Sequence, residues 1–300
     1  MTALLAQIDP YILQILVSIG IGVILALGLT IITGLTGQLS LGHAAFMSIG
    51  AFCSALLTIR LNLPLSVNLL LSGCLSAGVA ALVGWPILRL SGDYLAICTL
   101  GFAEIVKVIF LNLELTNKAL GLSVPTPRTF VPLPVLVWLV AGLMVVATAF
   151  IASSRLGRAL KAIRDDEIAA ESMGINLARY KVQSFALGGF MAGVGGGLYA
   201  HFISYINPSD FGFLKSVDIL SMVVLGGLGS VPGAVLGAAV LGAAPELLRF
   251  MAQYRMLVYG VLLVIMMVFR PNGLLGGVNV THLLLKALGR RPQRSHGGAA

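Results

Sequence analysis

Five stretches of this chain carry no acidic or basic residue: 10 to 59, 61 to 88, 129 to 154, 182 to 209 and 219 to 245. Each exceeds the roughly 20 residues an α-helix needs to cross the hydrocarbon core of a bilayer, and the first is long enough to cross twice. Leu, Ile, Val, Ala and Gly run through them without the apolar/polar alternation of a barrel strand, so the pattern predicts membrane helices. Composition agrees, with 58% of the 300 residues hydrophobic and 10% charged, where a soluble domain carries about 25% charge. The 36 glycines and 12 prolines are dispersed through the apolar runs, where membrane helices tolerate them. A sixth segment, 256 to 269, is short for a span and is completed by tilt or mismatch. Cys53, Cys74 and Cys98 lie in or beside apolar segments, which predicts inert thiols and no disulfide framework.

Charge asymmetry orients the chain. The first ten residues hold no Lys or Arg, whereas the far end carries Lys286, Arg290, Arg291 and Arg294. The positive-inside rule therefore puts the tail in the cytoplasm and the N-terminus outside, with an odd number of crossings. Arg155, Arg158, Lys161, Arg164, Arg179 and Lys181 put the loop from 153 to 181 inside as well. The expectation is an all-α integral membrane protein, a polytopic bundle of about nine spans (eight to ten) with interrupted helices. The spans fall near 11 to 32, 44 to 59, 65 to 88, 94 to 113, 131 to 152, 181 to 205, 217 to 231, 234 to 249 and 256 to 270. They form one transmembrane domain over 1 to 280, the cytoplasmic loop included, followed by a basic tail from 281 to 300. The first apolar run continues past the short core of a signal peptide and is expected to be retained as a span. The net charge of +8 is accounted for by cytoplasmic loops facing lipid head groups and needs no nucleic-acid partner.

Two stretches make poor continuous helices: GLTGQLSLGH (34 to 43) and GGLGSVPG (226 to 233). Unwound backbone is tolerated at membrane depth only where it lines a cavity or is buried in protein, so paired interruptions point to a transport pathway. Offsetting one by 190 residues aligns Gly37 with Gly227, Ser40 with Ser230 and Ala44 with Ala234. Close helix packing or ordinary turns would use the same glycines. Gln38, Ser40 and His43 are the pathway candidates here, with His43 read either as a helix-start residue bonded to local backbone or as a polar group facing substrate. No second His, Cys or carboxylate lies near His43 at metal-ligand spacing, so no metal is expected. Ser40 sits in no G-x-S-x-G elbow, which leaves an intramembrane hydrolase without a nucleophile.

Glu104 falls near the middle of the span from 94 to 113, a helix about 30 Å long. An ionised side chain there costs at least ~2.5 to 3.5 kcal/mol and should face protein or water. Lys107 is three residues on and within reach, so an internal ion pair and a role beside the pathway both stand. Thr99 and Gly101 could line the same route.

In the loop, Leu156, Leu160 and Ile163 predict a short amphipathic helix continuing from the membrane. Asp165 or Asp166 offers an N-cap, Glu167 suits the positive end of a new helix dipole, and Gly174 supplies a stop. A second helix over 167 to 173 follows, roughly 10 Å long, with Ala169 and Ala170 leaving one side nearly flat. So short a helix is not stable alone and must be held by the membrane domain or by another protein. A solvated loop with a basic, membrane-facing stripe is the alternative.

The runs GLTGQLSLGHAAFMSIGAF (34 to 52), SGDYLAICTLGFAEIVKVI (91 to 109), RALKAIRDDEIAAESMGIN (158 to 176), MVVLGGLGSVPGAVLGAAVLG (222 to 242) and YRMLVYGVLLVIMMVFRPNGLLG (254 to 276) resemble the LivM-type permeases of branched-chain amino acid ABC importers. The resemblance covers nearly the whole chain, and the DYLAI and FRPNGLLG runs look like LivM more than its LivH-type sister. It implies a multi-pass, non-enzymatic subunit of the bacterial cytoplasmic (inner) membrane. It implies a heterodimer with a LivH-type permease, two cytoplasmic ATPases of the LivG and LivF type, and an extracytoplasmic amino-acid-binding protein. No G-x-x-x-x-G-K-[ST] P-loop occurs, so the chain is expected to bind no cofactor, with ATP and Mg held by the partners. The resemblance also implies that the loop contacts an ATPase. The contacting set would be Arg158, Lys161, Ala162, Ile163, Arg164, Asp165 and Asp166 of the first helix, then Glu167, Ile168, Ala169, Ala170, Glu171, Ser172, Met173, Gly174, Ile175 and Asn176. A groove fitted around Ala170 predicts that Ala170→Arg leaves the permease folded and weakens assembly.

One departure stands out. At LTNKALGLSVP (115 to 125) the family commonly has TGGxxGL, of which Thr116, Gly121 and Leu122 are retained. Urea, amides and other amino acids are carried by similar permeases, so the substrate stays open. An ion-coupled secondary carrier using Glu104 is the rival of another class.

Overall fold

The computed structural model describes residues 9–87, 90, 92–125, 131–247, 260–261 and 273–274. The expected ninth span (256 to 270) and the basic tail lie outside the described residues, except 260–261. Helix α1 (Pro10–Leu29) starts on Asp9, whose side chain accepts from the Tyr11 N–H. Pro10 sits in its first turn, where a missing N–H leaves no bond unmade. The helix runs on through a π-helical segment, Thr30–Leu35. There follow α2 (His43–Leu61), α3 (Leu65–Ile87), α4 (Asp93–Asn112), α5 (Leu133–Ser153), α6 (Arg155–Asp165), α7 (Glu167–Ser172), α8 (Leu177–Ile203), α9 (Phe213–Gly226) and α10 (Val231–Leu247). Among the described residues six helices are long and apolar enough to cross a membrane: α1 with its extension, α2, α3, α4, α5 and α8. The shorter α9 and α10 fold back on each other, with Gly226 against the Gly233 carbonyl and Gly237 against that of Met222.

Glycine sets the core. Within a bilayer, helices associate by close packing of small residues more than by hydrophobic burial. Helix α8 carries Gly188, Gly189, Gly193, Gly195, Gly196 and Gly197, and a methyl group on Gly196 would collide with the Met47 carbonyl of α2. Helix α3 lies against the same helix, with Ser76 Cβ 2.6 Å from where a Gly193 Cβ would be. On its other side α8 meets α1, where Gly188 faces Ile32 and the Gly28 carbonyl. One end of this core is tied by a buried polar network. His201 Nδ1 donates to the Gly197 carbonyl at 2.8 Å, which leaves Nε2 to accept from the Thr58 hydroxyl at 2.9 Å. Asn68 Nδ2 donates to the same hydroxyl at 2.8 Å. At this end, too, strands β1 (Leu122–Ser123) and β2 (Tyr205–Ile206) pair antiparallel, Leu122 opposite Ile206. Helices α6 and α7 occupy the opposite end.

Two boundaries differ from the sequence expectation. The amphipathic helix does not continue from the membrane: Ser154 is extended (ψ 178°) and caps α6 by accepting from the Gly157 N–H. Arg158 and Lys161 then reach back to the Ser153 and Ala152 carbonyls, both at 3.1 Å. These cations satisfy carbonyl groups that the end of α5 leaves without helical partners. The seventh expected span, 217 to 231, is shifted, because α9 runs from Phe213 to Gly226 and takes Lys215 into the helix beside Asp218.

Candidate functional site

The first interrupted stretch leaves the π-helical segment at Leu35, turns at Gly37 (φ 74°) and doubles back along α1. Helix α2 consequently starts deep in the bundle: His43 Nε2 is 3.2 Å from where a Gly28 Cβ would be. Two side chains from other helices fix the returning strand of chain. The Leu41 N–H donates to Thr99 Oγ1 and the Ala44 N–H to Ser216 Oγ, both at 3.1 Å. Thr99 thereby lies beside the stretch that carries Gln38, Ser40 and His43.

Gln38, Ser40 and His43 are buried, and their side chains make no hydrogen bond among the described residues. Among the described residues none is found for Thr33 Oγ1, either amide atom of Gln38, Ser40 Oγ or either ring nitrogen of His43. His43 begins α2, but its ring approaches the Leu25 carbonyl without reaching hydrogen-bond geometry. The expected bond to local backbone is therefore not made. Each such group costs about 1–3 kcal/mol when left unmatched, and four of them in eleven residues mark a segment whose bonding capacity is not used by the fold.

The second stretch, 227 to 230, closes differently. Gly227 (φ 110°) donates to the Val223 carbonyl at 3.0 Å, Ser230 N–H to the Gly227 carbonyl at 3.2 Å, and Ser230 Oγ accepts from the Gly233 N–H at 3.2 Å. The two stretches touch: a Cβ on Gly34 would lie 2.6 Å from the Gly229 nitrogen. Arg164 of α6 reaches this contact. Its Nη1 donates to the Gly34 carbonyl at 3.0 Å, and its side chain lies over both Gly37 and Gly229. Leu274 N–H also donates to the Leu225 carbonyl at 3.0 Å beside this junction.

Helix α7 is held by its own chain. Asp166 caps it, accepting from the Ile168 and Ala169 N–H groups at 2.9 and 3.0 Å, and Gly174 (φ 82°) ends it. The buried Lys181 of α8 pairs with Glu167 at 2.7 Å. Ala170 is only 4% exposed, whereas Ile168 and Met173 are 80% and 84% exposed. Ala169, Glu171 and Ser172 are exposed as well. The expectation for Ala170→Arg is thus corrected: the residue faces the permease itself, and an arginine there would unseat α7. In α6, Leu160 and Ile163 are buried and Ala162 half-buried; beyond α7, Ile175 is half-buried and Asn176 caps α8.

Glu104 stands apart from this group. It pairs with Lys107 at 3.1 Å, the two side chains 42% and 27% exposed, about 140° around α4 from Thr99. No cluster of three His, Cys, Asp or Glu side chains occurs among the described residues. The divergent loop explains its retained residues. Thr116 Oγ1 donates to the Phe110 carbonyl at 2.6 Å, and Gly121 passes against the Ile206 carbonyl. Asn117 and Lys118 hold φ of 58° and 56°, a conformation that glycine adopts without strain.

Sequence reading missed Lys215, Asp218 and Tyr199. They line a cavity of about 180 Å³ between α1, α8, α9 and α10. The signal was present, since Asp218 bounds the run from 219; starting the span at 217 left Lys215 outside it and gave Asp218 no role.

Comparison with known proteins agrees with this architecture. The model of the family described as branched-chain amino acid transport system / permease component matches residues 11–269. The LivM permease of the high-affinity branched-chain amino acid system of Salmonella typhimurium is 39% identical over 285 residues, covering 84% of this chain and 67% of that protein. LivM of Escherichia coli is 38% identical over the same shares. LivH of Salmonella typhimurium is 29% identical over 279 residues, 84% of this chain and 90% of that protein. No solved structure matches the chain. With its family model matched over 259 residues, its long apolar helices and its paired interruptions, the chain belongs to the permease components of branched-chain amino acid transport systems.

Proposed function

We propose that the chain is the LivM-type subunit of an ABC importer in the bacterial cytoplasmic membrane, translocating branched-chain or other neutral amino acids. Identity of 39% to LivM against 29% to LivH supports the LivM role. A LivH-type permease is then the sister subunit, an extracytoplasmic binding protein delivers substrate, and LivG- and LivF-type ATPases hold ATP and Mg. Nine spans, with the N-terminus outside and the tail inside, suit the geometry. Gly273 abuts Gly227, near the start of α10, while Leu247 ends that helix about 25 Å away, so the chain returns to the α7 side after α10.

The observation that carries the mechanism is the Arg164 bond to the Gly34 carbonyl where both interrupted stretches meet. An ATPase pressing on Ile168 and Met173 moves a helix pinned to α8 by the Glu167–Lys181 pair. Arg164, from the adjoining α6, passes that movement to the junction. There backbone with few helical bonds can rearrange, and Gln38, Ser40, His43 and Thr99 offer hydrogen bonds to a passing ligand or to water.

The test uses the reconstituted complex. Ile168→Asp with Met173→Asp changes exposed side chains, so insertion and folding should be kept, while ATPase capture and substrate uptake fall at least tenfold. Arg164→Ala should keep capture but lower the uptake obtained per ATP hydrolysed. Normal ATPase binding and uptake in the double variant would remove α7 as the docking element.

A further inference from the structure

We propose that the cavity between α1, α8, α9 and α10 is an amino acid subsite inside the permease, in which Lys215 holds the ligand carboxylate and Asp218 its ammonium group; this deepens the importer reading and rests on it. Both charges belong to a helix that carries no other charged residue between Phe213 and Gly226, and ionisable residues within membrane helices mark substrate or ion routes by default. They are three residues apart, so they project from one side of α9. The Lys215 ammonium lies 5.2 Å from the centroid of the Tyr199 ring, which forms part of the same wall. Ile21, Leu25 and Met222 supply an apolar wall.

A cation and an anion lining one cavity with aliphatic side chains match the two charges and the branched side chain of a zwitterionic amino acid. The volume of about 180 Å³ is below the ~300–1,000 Å³ of pockets that take drug-sized ligands, which favours a small molecule. Position adds a second argument. Ser216, between the two charges, bonds the start of α2 at Ala44, and α9 ends at Gly226, where the second interrupted stretch begins. A ligand seated on Lys215 and Asp218 therefore bears on a helix that bonds the chain just after the first interruption and leads into the second.

The experiment measures leucine uptake and its KM in the reconstituted complex. Lys215→Gln and Asp218→Asn should each raise KM at least tenfold, and Lys215→Arg should recover most of the loss. Gly22→Leu fills the cavity without removing a charge, since a Cβ there has 3.5 Å to its nearest neighbour, Met222 Sδ; it should block uptake in a complex that still assembles. Unchanged KM in the charge variants, or normal uptake in an assembled Gly22→Leu complex, overturns the subsite. A wild-type complex that takes up no neutral amino acid instead sinks the importer reading. The cavity is then judged by whether leucine raises the melting temperature of the wild-type complex and fails to do so with Asp218→Asn; no rise in wild type overturns it.

Discussion

The two interrupted stretches touch one another, yet they solve the problem of unwound backbone in opposite ways. Residues 227 to 230 close a tight turn in which Gly227, Ser230 and Gly233 satisfy each other, and Ser230 caps the next helix. Residues 36 to 44 make local bonds at Thr36 and Gly37, are otherwise anchored from outside by Thr99 and Ser216, and among the described residues leave Gln38, Ser40 and His43 buried without partners. The difference teaches that similar glycine-rich sequences serve two ends. One stretch is a hinge point built to hold its shape, and the other keeps polar capacity in reserve at the cost of stability.

The contact between the stretches gives the largest expected effect. Gly34→Ala places a methyl group 2.6 Å from the Gly229 nitrogen, and backbone has to move. A loss of about 1–3 kcal/mol follows from such overpacking, seen as a lower melting temperature of the purified permease, with uptake below a tenth of wild type. Wild-type uptake and melting would mean that the two stretches need not touch.

The paired serines sharpen the comparison further. Ser230→Ala removes a helix cap and should cost about 1 kcal/mol, while uptake per folded complex stays near normal. Ser40→Ala removes a hydroxyl that has no partner among the described residues, so stability should be unchanged or slightly higher, while uptake falls several-fold. Equal stability losses at both sites would show that Ser40 is an ordinary structural hydroxyl.

The smallest effect lies at the far end of the bundle, where a turn takes positive φ without glycine. Both stretches supply glycine where φ is positive; Lys118 does not, at φ 56°. Lys118→Gly relieves a left-handed residue and should stabilise the permease by about 0.5–1 kcal/mol, the backbone entropy of glycine offsetting part of the gain. Its ion pair with Glu114, with side chains 58% and 88% exposed, contributes little to offset the change. A drop in melting temperature would show that the loop needs the lysine.

Helix positions were legible in the sequence because crossing a bilayer demands an unbroken apolar run, and charges mark where each run stops. The rule failed at α9 for a physical reason: a helix packed in the bundle can carry Lys215 beside Asp218 where they line a cavity, so a charge need not be a boundary. The caps of the loop were legible as well, since Asp166 and Gly174 act through bonds and torsions within a few residues of themselves.

What the sequence determined by itself was therefore local: which segments are apolar enough to span, where they unwind, and which residues start and stop short helices. Only the tertiary structure decided which side of α7 is presented and that Arg164 meets Gly34 and Gly229. Those outcomes depend on helices brought together through α8, whose glycines let α1, α2 and α3 approach at backbone distance. Helical periodicity says which residues share a face, but the partner of that face is chosen by close packing between segments more than a hundred residues apart.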